Sequence, residues 1–409
     1  MNSKNQSKKN QSNRRRFLKD GVALAGLTVG GIWSPASRGQ TLGSEAPAAP
    51  PKNRRDYGER SRFENSVRLP GQWGPRTPIQ ESVGIITPSS LHFMAAHGYE
   101  PPDIDPQTHR LLIHGLVDRP LIFTMEELKR LPSVSRIHFV ECGGNTGGAD
   151  GKGKTAQETH GWTSCAEWTG VLLSVLLKEV GLKKEAKWVV VEGTEAGKHT
   201  KSFPLEKVMD DVLVVYGQNG EPLRPEQGYP LRLVVPGWVG VNQVKWLRRI
   251  KVVDQGYMTK WEVSGYANMM RDGKARSQYE LGPKSVITRP SGGQRLPGRG
   301  FYEITGLAWS GWGAIRRVEV STDGGRSWKD AQIQQPVHTK AHTRFRADWT
   351  WNGEEAVLQS RCTDDQGGVQ PTVAELEKIR LDSGRAGLAM NAIFSWKVNR
   401  DGRVENAMV

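Results

Sequence analysis

The chain has 409 residues, 36% of them hydrophobic and 24% charged, with a formal net charge of +14 at pH 7. That length fits two domains better than one, and the composition is that of a globular enzyme, not of a disordered or fibrous protein. Half of the charge excess lies in residues 1–40, where eight Lys and Arg face one Asp; the rest has no basic stripe interleaved with aromatics, which argues against a nucleic-acid partner.

In chain order, "NRRRFLKD" comes first, with Arg14 and Arg15 ahead of Arg16, Phe17, Leu18 and Lys19. The weakly apolar run "GVALAGLTVGGIW" follows; a bilayer span needs roughly twenty apolar residues, more than this run has. The combination predicts a twin-arginine export signal over 1–40, hence a periplasmic protein with no membrane span in its mature form. Cleavage is expected near Ala36 to Gln40. Residues 41–82, rich in Pro, Ala, Arg and Gly, read as a linker or extended arm with little core of its own.

Ordered structure is expected from Val83. "HRLLIHGLV" (109–117) reads as a strand. "TMEELKRLP" is a short helix with Thr124 as N-cap, Glu127 closing a capping box and Pro132 ending it. "SRIHFVE" is the next strand. In "EWTGVLLSVLLKEVGL", Val171, Leu172, Val175, Leu176 and Val180 fall at helical spacing, with Gly181 at the C-terminal end. "KWVVVEG" is a strand buried on both faces, "FPLEKVMDD" a short helix, and "VLVVYGQNG" a strand turning at Asn219-Gly220. "YPLRLVVPG" and "VKWLRRIKVVD" complete an α+β domain over 83–280. From Leu281 the segments alternate between apolar and polar residues and are parted by Gly- and Asp-rich turns such as "STDGGRSW". Helix signals are missing, so residues 281–405 read as a β-sandwich.

The stretch "IHFVECGGNTGG" (137–148) places Cys142 directly after a buried strand, with Gly143, Gly144, Gly147 and Gly148 around it. Three readings are open: a thiol approached by a ligand that needs bare backbone, a small buried hydrophobe, or half of a disulfide with Cys165. The third cysteine is Cys362. No CxxCH, CxxC pair or HExxH is present, so neither covalent haem nor a zinc site has a motif to support it.

Taken together, "DIDPQTHRLLIHGLVDRPLIFTMEELKRLP", "FVECGGN", "EWTGVLLSVLLKEVG", "NGEPLRPEQGYPLRLVVPGWVGVNQVKWLRRI" and "GLAWSGWGAIRRVEVSTDGGRSW" resemble the sulfite oxidase family of molybdenum enzymes. Within it, "THGWTSCAEWTG", "PKSVITRPSGGQRLPG" and "EAVLQSRCTDD" resemble the branch holding the molybdenum subunit of sulfane (sulfite) dehydrogenase of the Sox thiosulfate-oxidation system. The resemblance covers about residues 84–400. It implies a mixed α/β molybdopterin domain followed by an immunoglobulin-like dimerisation domain, and a molybdenum–molybdopterin cofactor.

The same resemblance implies Cys142 as the metal ligand, which suits a soft thiolate. Phe93 and His97 of "HFMAAHG" would lie near the pterin, Arg232 of "YPLRLVVPG" at its phosphate, and Gln243, Val244 and Lys245 of "GVNQVKWL" along it. Tyr266 stands where the family keeps an active-site tyrosine. There are departures. Ala95 replaces the substrate-pocket arginine, Asn242 a second arginine, and Gln227 a cofactor-contacting histidine. The implied activity is oxygen-atom transfer to a sulfur compound, with electrons leaving to a separate c-type cytochrome. The two lost guanidinium groups point away from free sulfite, toward a bulky substrate such as a sulfur-carrier protein. A homodimer is expected, with Trp-rich "LAWSGWG" and "DWTW" as interface anchors. Two rival readings are a periplasmic molybdopterin S-oxide reductase and a non-catalytic immunoglobulin-like binding protein in which Cys142 is structural.

Overall fold

The structure is a computed structural model that describes residues 58–95, 100–147, 150–263, 266–270, 273, 275–277, 279–379 and 390–408. The expected export signal (1–40) and His97 lie outside the described residues. None of the described helices is long and apolar enough to cross a membrane.

The first half holds β1 (Arg110–Gly115), β2 (Leu121–Thr124), β3 (Val134–Glu141), β4 (Thr163–Leu172), β5 (Trp188–Gly193), β6 (Thr200–Pro204), β7 (Leu213–Gln218), β8 (Glu221–Pro222), β9 (Arg232–Val234) and β10 (Leu247–Val253). They form two sheets, a mixed one ordered β2-β1-β10-β5-β6 and an antiparallel one ordered β3-β4-β7-β8, with β9 pairing β7. The helix Met125–Arg130 begins as its sequence directs. The Thr124 side chain accepts from the Glu127 backbone N–H, and the Glu127 carboxylate accepts from the Thr124 backbone N–H at 2.8 Å. The turn joining β7 to β8 has positive φ at both Asn219 (52°) and Gly220 (77°), which those residue types tolerate best.

Two expectations change. The helical pattern read from Val171 starts later: the helix is Leu173–Val180, and Val171 and Leu172 end the ten-residue strand β4. That strand lies between β3 and β7 and is buried on both faces, so it shows no alternation that would set it apart from a helix. In addition, Ile79, within the segment read as a linker, is 1% exposed and belongs to the core.

The second half contains a hairpin of β11 (Ala267–Met269) and β12 (Ala275–Ser277), then β13 (Lys284–Arg289), β14 (Gly300–Trp309), β15 (Ile315–Ser321), β16 (Lys329–Asp330), β17 (Gln332–Ile333), β18 (Thr343–Trp351), β19 (Ala356–Asp364), β20 (Ser395–Val398) and β21 (Val404–Asn406). The sheets β13-β14-β18-β17 and β16-β15-β19-β20-β21 make the sandwich. A helix interrupts it at Val373–Ile379, contrary to the all-β expectation. Its start is a capping box, Thr372 with Glu375, legible in "TVAE". The tryptophans expected as interface anchors divide: Trp309 and Trp351 are buried inside the sandwich, whereas Trp312 is 45% exposed.

Asn65–Val409 forms one compact unit. One of its two large cores joins Ile79, Phe139, Cys165 and Val241 to Trp309, Phe345 and Trp396 of the sandwich. The two halves therefore share an interior.

Candidate active site

A cleft of about 830 Å³, part of it open to solvent, is lined by Phe93, Ala95, Cys142, Arg232, Gln243, Lys245 and Tyr266 among others. Residues up to 174 positions apart in the chain (His92 and Tyr266) thus line one cleft. All three cysteines are free thiols, so the disulfide reading of Cys142 fails. Cys165 and Cys362 are fully buried, and burial pushes both thiols up, Cys165 to about 12. Cys142 is the thiol in the cleft.

The end of β3 delivers Cys142. Its backbone N–H donates to Trp162 O at 2.9 Å, and its carbonyl accepts from Asn145 N at 3.1 Å. Gly240 passes behind it; a Cβ there would come within 2.7 Å of Glu141 O and 3.2 Å of Cys142 Cα, so only glycine allows the approach. Tyr266 stands against Trp261, ring centroids 5.8 Å apart and edge-on. Burial, and then the neighbouring Cys142, push its phenol far above the ordinary tyrosine value. It is therefore a protonated hydrogen-bond donor at neutral pH.

The cationic side is built from β9 and the segment before β10. Arg232 is 3% exposed; it donates through Nη1 to Gln227 O (2.9 Å) and Oε1 (3.3 Å), and its Nε has no partner among the described residues. Its guanidinium carbon lies 4.8 Å from the Trp168 ring centroid. Lys245 donates to Ala95 O at 3.2 Å and Glu226 O at 3.1 Å. Burial lowers Arg232 to about 9, while burial and then Arg232 lower Lys245 to about 7. Among the described residues neither forms an ion pair. A buried arginine and a half-buried lysine that lack an ion pair are costly, and an anionic ligand such as a phosphate ester offsets that cost. A thiol, a glycine-flanked backbone and an anion-seeking pair in one cleft fit a phosphorylated, thiolate-ligated metal cofactor.

Several expected contacts differ in detail. Gln243 lines the cleft, but its amide is engaged by backbone. Oε1 accepts from Val235 N (2.7 Å), and Nε2 donates to Val235 O (2.8 Å) and Trp238 O (3.0 Å). It braces the loop after β9. Val244 does not line the cleft: its side chain is fully buried in the apolar core, and its N–H and carbonyl bond to Asn242 and Leu233. Asn242, expected in the substrate pocket, is likewise fully buried away from the cleft wall. Gln227 donates to Phe93 O at 2.9 Å and accepts from Arg232 through its backbone carbonyl (2.9 Å) and Oε1 (3.3 Å).

Sequence reasoning missed His92 and Glu195. His92 is 1% exposed, stacks on Phe93 and is held neutral, its imidazole lowered by burial to about 3. Glu195 sits beside Lys245, its carboxyl raised by burial. His92 is the first residue of the quoted "HFMAAHG" but carried no signal of its own, and Glu195 lies in none of the quoted motifs; folding brings both to the cleft.

Comparison with known proteins agrees with this geometry. Residues 97–261 match the oxidoreductase molybdopterin binding domain, and residues 275–397 the Mo-co oxidoreductase dimerisation domain. The crystal structure of the sulfane dehydrogenase SoxCD from Paracoccus pantotrophus superposes with a TM-score of 0.83 at 42% identity, over 90% of this chain and 96% of that one. Mitochondrial sulfite oxidase of Mus musculus is 31% identical over 331 residues, 73% of this chain and 59% of that protein. The NADH nitrate reductase of Ulva prolifera is 32% identical over 334 residues, 71% of this chain and 38% of that protein. The chain thus spans less than two thirds of the length of these two relatives. With its thiol, cations and tyrosine in one cleft and a β-sandwich behind it, the chain belongs to the sulfite oxidase family of molybdopterin oxidoreductases.

Proposed function

We propose that this chain is the molybdenum subunit of a periplasmic sulfur-compound dehydrogenase that passes electrons to a separate c-type cytochrome. The observation that carries the reading is the meeting of Cys142, Tyr266, Arg232 and Lys245 in a single cleft. Bound there, a molybdenum–pterin group would supply two-electron oxygen-atom transfer to sulfur, chemistry no side chain offers. Cys142 would hold the metal, with Arg232 and Lys245 holding the phosphate. Tyr266, protonated and fixed by Trp261, is a donor to an anionic substrate oxygen.

The substrate we propose is sulfane sulfur on a bulky or carrier-borne molecule, in preference to free sulfite. Support comes from Ala95 alone, because Asn242 is not in the cleft wall. An arginine at that wall would add a charge-assisted hydrogen bond of roughly 1.5–3 kcal/mol to a small dianion, about tenfold or more in affinity. Turnover with ferricyanide as acceptor should be fastest on a persulfide-bearing carrier protein, slower on thiosulfate and sulfite. Ala95→Arg should lower the KM for sulfite about tenfold or more. A native KM in the low micromolar range, unchanged in Ala95→Arg, overturns the substrate assignment. Turnover confined to a reduced dye and an S-oxide would favour the reductase reading.

The match of residues 275–397 to a dimerisation domain supports a homodimer. Light scattering at micromolar protein should return twice the chain mass; the mass of a single chain would count against it.

A further inference from the structure

Glu141 directly precedes the cleft thiol. Its carboxylate is 1% exposed and faces away from solvent into the shared core. Three donors converge on it. Asn145 Nδ2 (2.8 Å) and Lys284 Nζ (2.7 Å) donate to Oε1, and Trp309 Nε1 (2.7 Å) donates to Oε2. Lys284 and Trp309 belong to β13 and β14 of the sandwich, and Lys284 is itself 2% exposed. Lys284 also lies 3.4 Å from the Asn145 carbonyl.

Asn145 closes the loop that carries the thiol. Its Oδ1 accepts from Trp162 N at 3.1 Å and its N–H donates to Cys142 O at 3.1 Å. The next residue, Thr146, has φ +70°, a conformation that a β-branched residue adopts only when its surroundings impose it. The loop is therefore held from outside, and the hub is a carboxylate whose cation comes from the other half of the molecule.

We propose that Lys284 is a positioning residue for the Cys142 sulfur: through Glu141 and Asn145, the β-sandwich fixes the loop on which the cleft thiol is carried. The sandwich is then part of the site as well as of the dimer. The inference rests on the reading of Cys142 as a metal ligand only in its consequence for the metal; the placement of the thiol can be read without it.

The test compares Lys284→Met, Lys284→Arg and Trp309→Phe in the full chain. In cofactor-free protein, alkylation by iodoacetamide reports Cys142, because Cys165 and Cys362 are fully buried. Lys284→Met should be alkylated about tenfold faster than the native chain, through more frequent local opening of the loop. Lys284→Arg should recover most of the native rate. In the loaded enzyme, Lys284→Met should keep its molybdenum but shift the g values of its molybdenum(V) paramagnetic resonance spectrum. If Lys284→Met does not fold, Trp309→Phe, which removes one donor and keeps most of the ring, should move both readouts in the same direction. A folded Lys284→Met, or in its absence a folded Trp309→Phe, with native alkylation rate and native g values overturns the proposal. A change in alkylation with unchanged g values upholds the positioning and instead counts against Cys142 as the ligand.

Discussion

Cys142→Ser should have no measurable turnover while the protein keeps its fold. The replacement exchanges sulfur for oxygen at a position 7% exposed, whose backbone is tied by Trp162 and Asn145. Little packing is lost, so the thermal midpoint should move by no more than about 3 °C, the response of a large domain to roughly 1 kcal/mol. The chemical change is large. A hydroxyl is a hard, weakly acidic donor where a soft metal calls for a thiolate. Cys165 and Cys362 cannot substitute, being buried in the core away from the cleft. Ferricyanide-coupled assays give the activity, and X-ray absorption at the molybdenum edge should count one sulfur fewer. Near-native turnover by a metal-loaded Cys142→Ser would sink the ligand assignment.

The second large effect is acid lability. Three histidines sit in the interior outside the cleft. His342 shares a hydrogen bond with Thr163 Oγ1 (3.0 Å) and lies stacked 6.1 Å from Phe139. His160 pairs with Thr159 Oγ1 (2.8 Å) and meets Phe394 edge-on at 4.8 Å. His138, on β3, is 8% exposed. Burial lowers all three: His342 to about 3, His138 to about 4, and His160 well below its ordinary value. The folded chain thus keeps them neutral, while the unfolded chain takes up protons as pH falls through about 6.5. Because the unfolded state binds more protons, stability is complete above that pH and is lost as pH falls toward the folded values. Each histidine contributes about 1.4 kcal/mol per pH unit, so the three together cost about 4 kcal/mol per unit between roughly pH 6 and 4. Against a typical stability of about 5–15 kcal/mol, the roughly 8 kcal/mol lost over those two units is a large share. Most of that window lies above the point, near pH 4.5, where carboxylates begin to protonate. Denaturant midpoints at pH 7, 6 and 5 should fall steadily below pH 6.5; a flat profile across that range contradicts the burial argument.

What the sequence determined by itself was local or contiguous. The capping box at Thr124 and Glu127, the turn at Asn219-Gly220 and the strand runs follow from bonds between residues two to four apart, or from apolar patterns read along one segment. The glycine-wrapped Cys142 was legible because chain conformation and thiol chemistry are written in adjacent letters. Where the pattern was symmetric, as in the doubly buried β4, composition could not separate strand from helix, and the neighbouring β3 and β7 made the choice. Side-chain direction was beyond reach too. Gln243, Val244 and Lys245 are consecutive, yet the first is engaged by backbone, the second fills the core and the third reaches the cleft. Only tertiary structure decided that Glu141 meets a lysine 143 residues away. That pairing comes from two half-molecules sharing one interior, where a buried carboxylate must find its donors wherever the fold brings them.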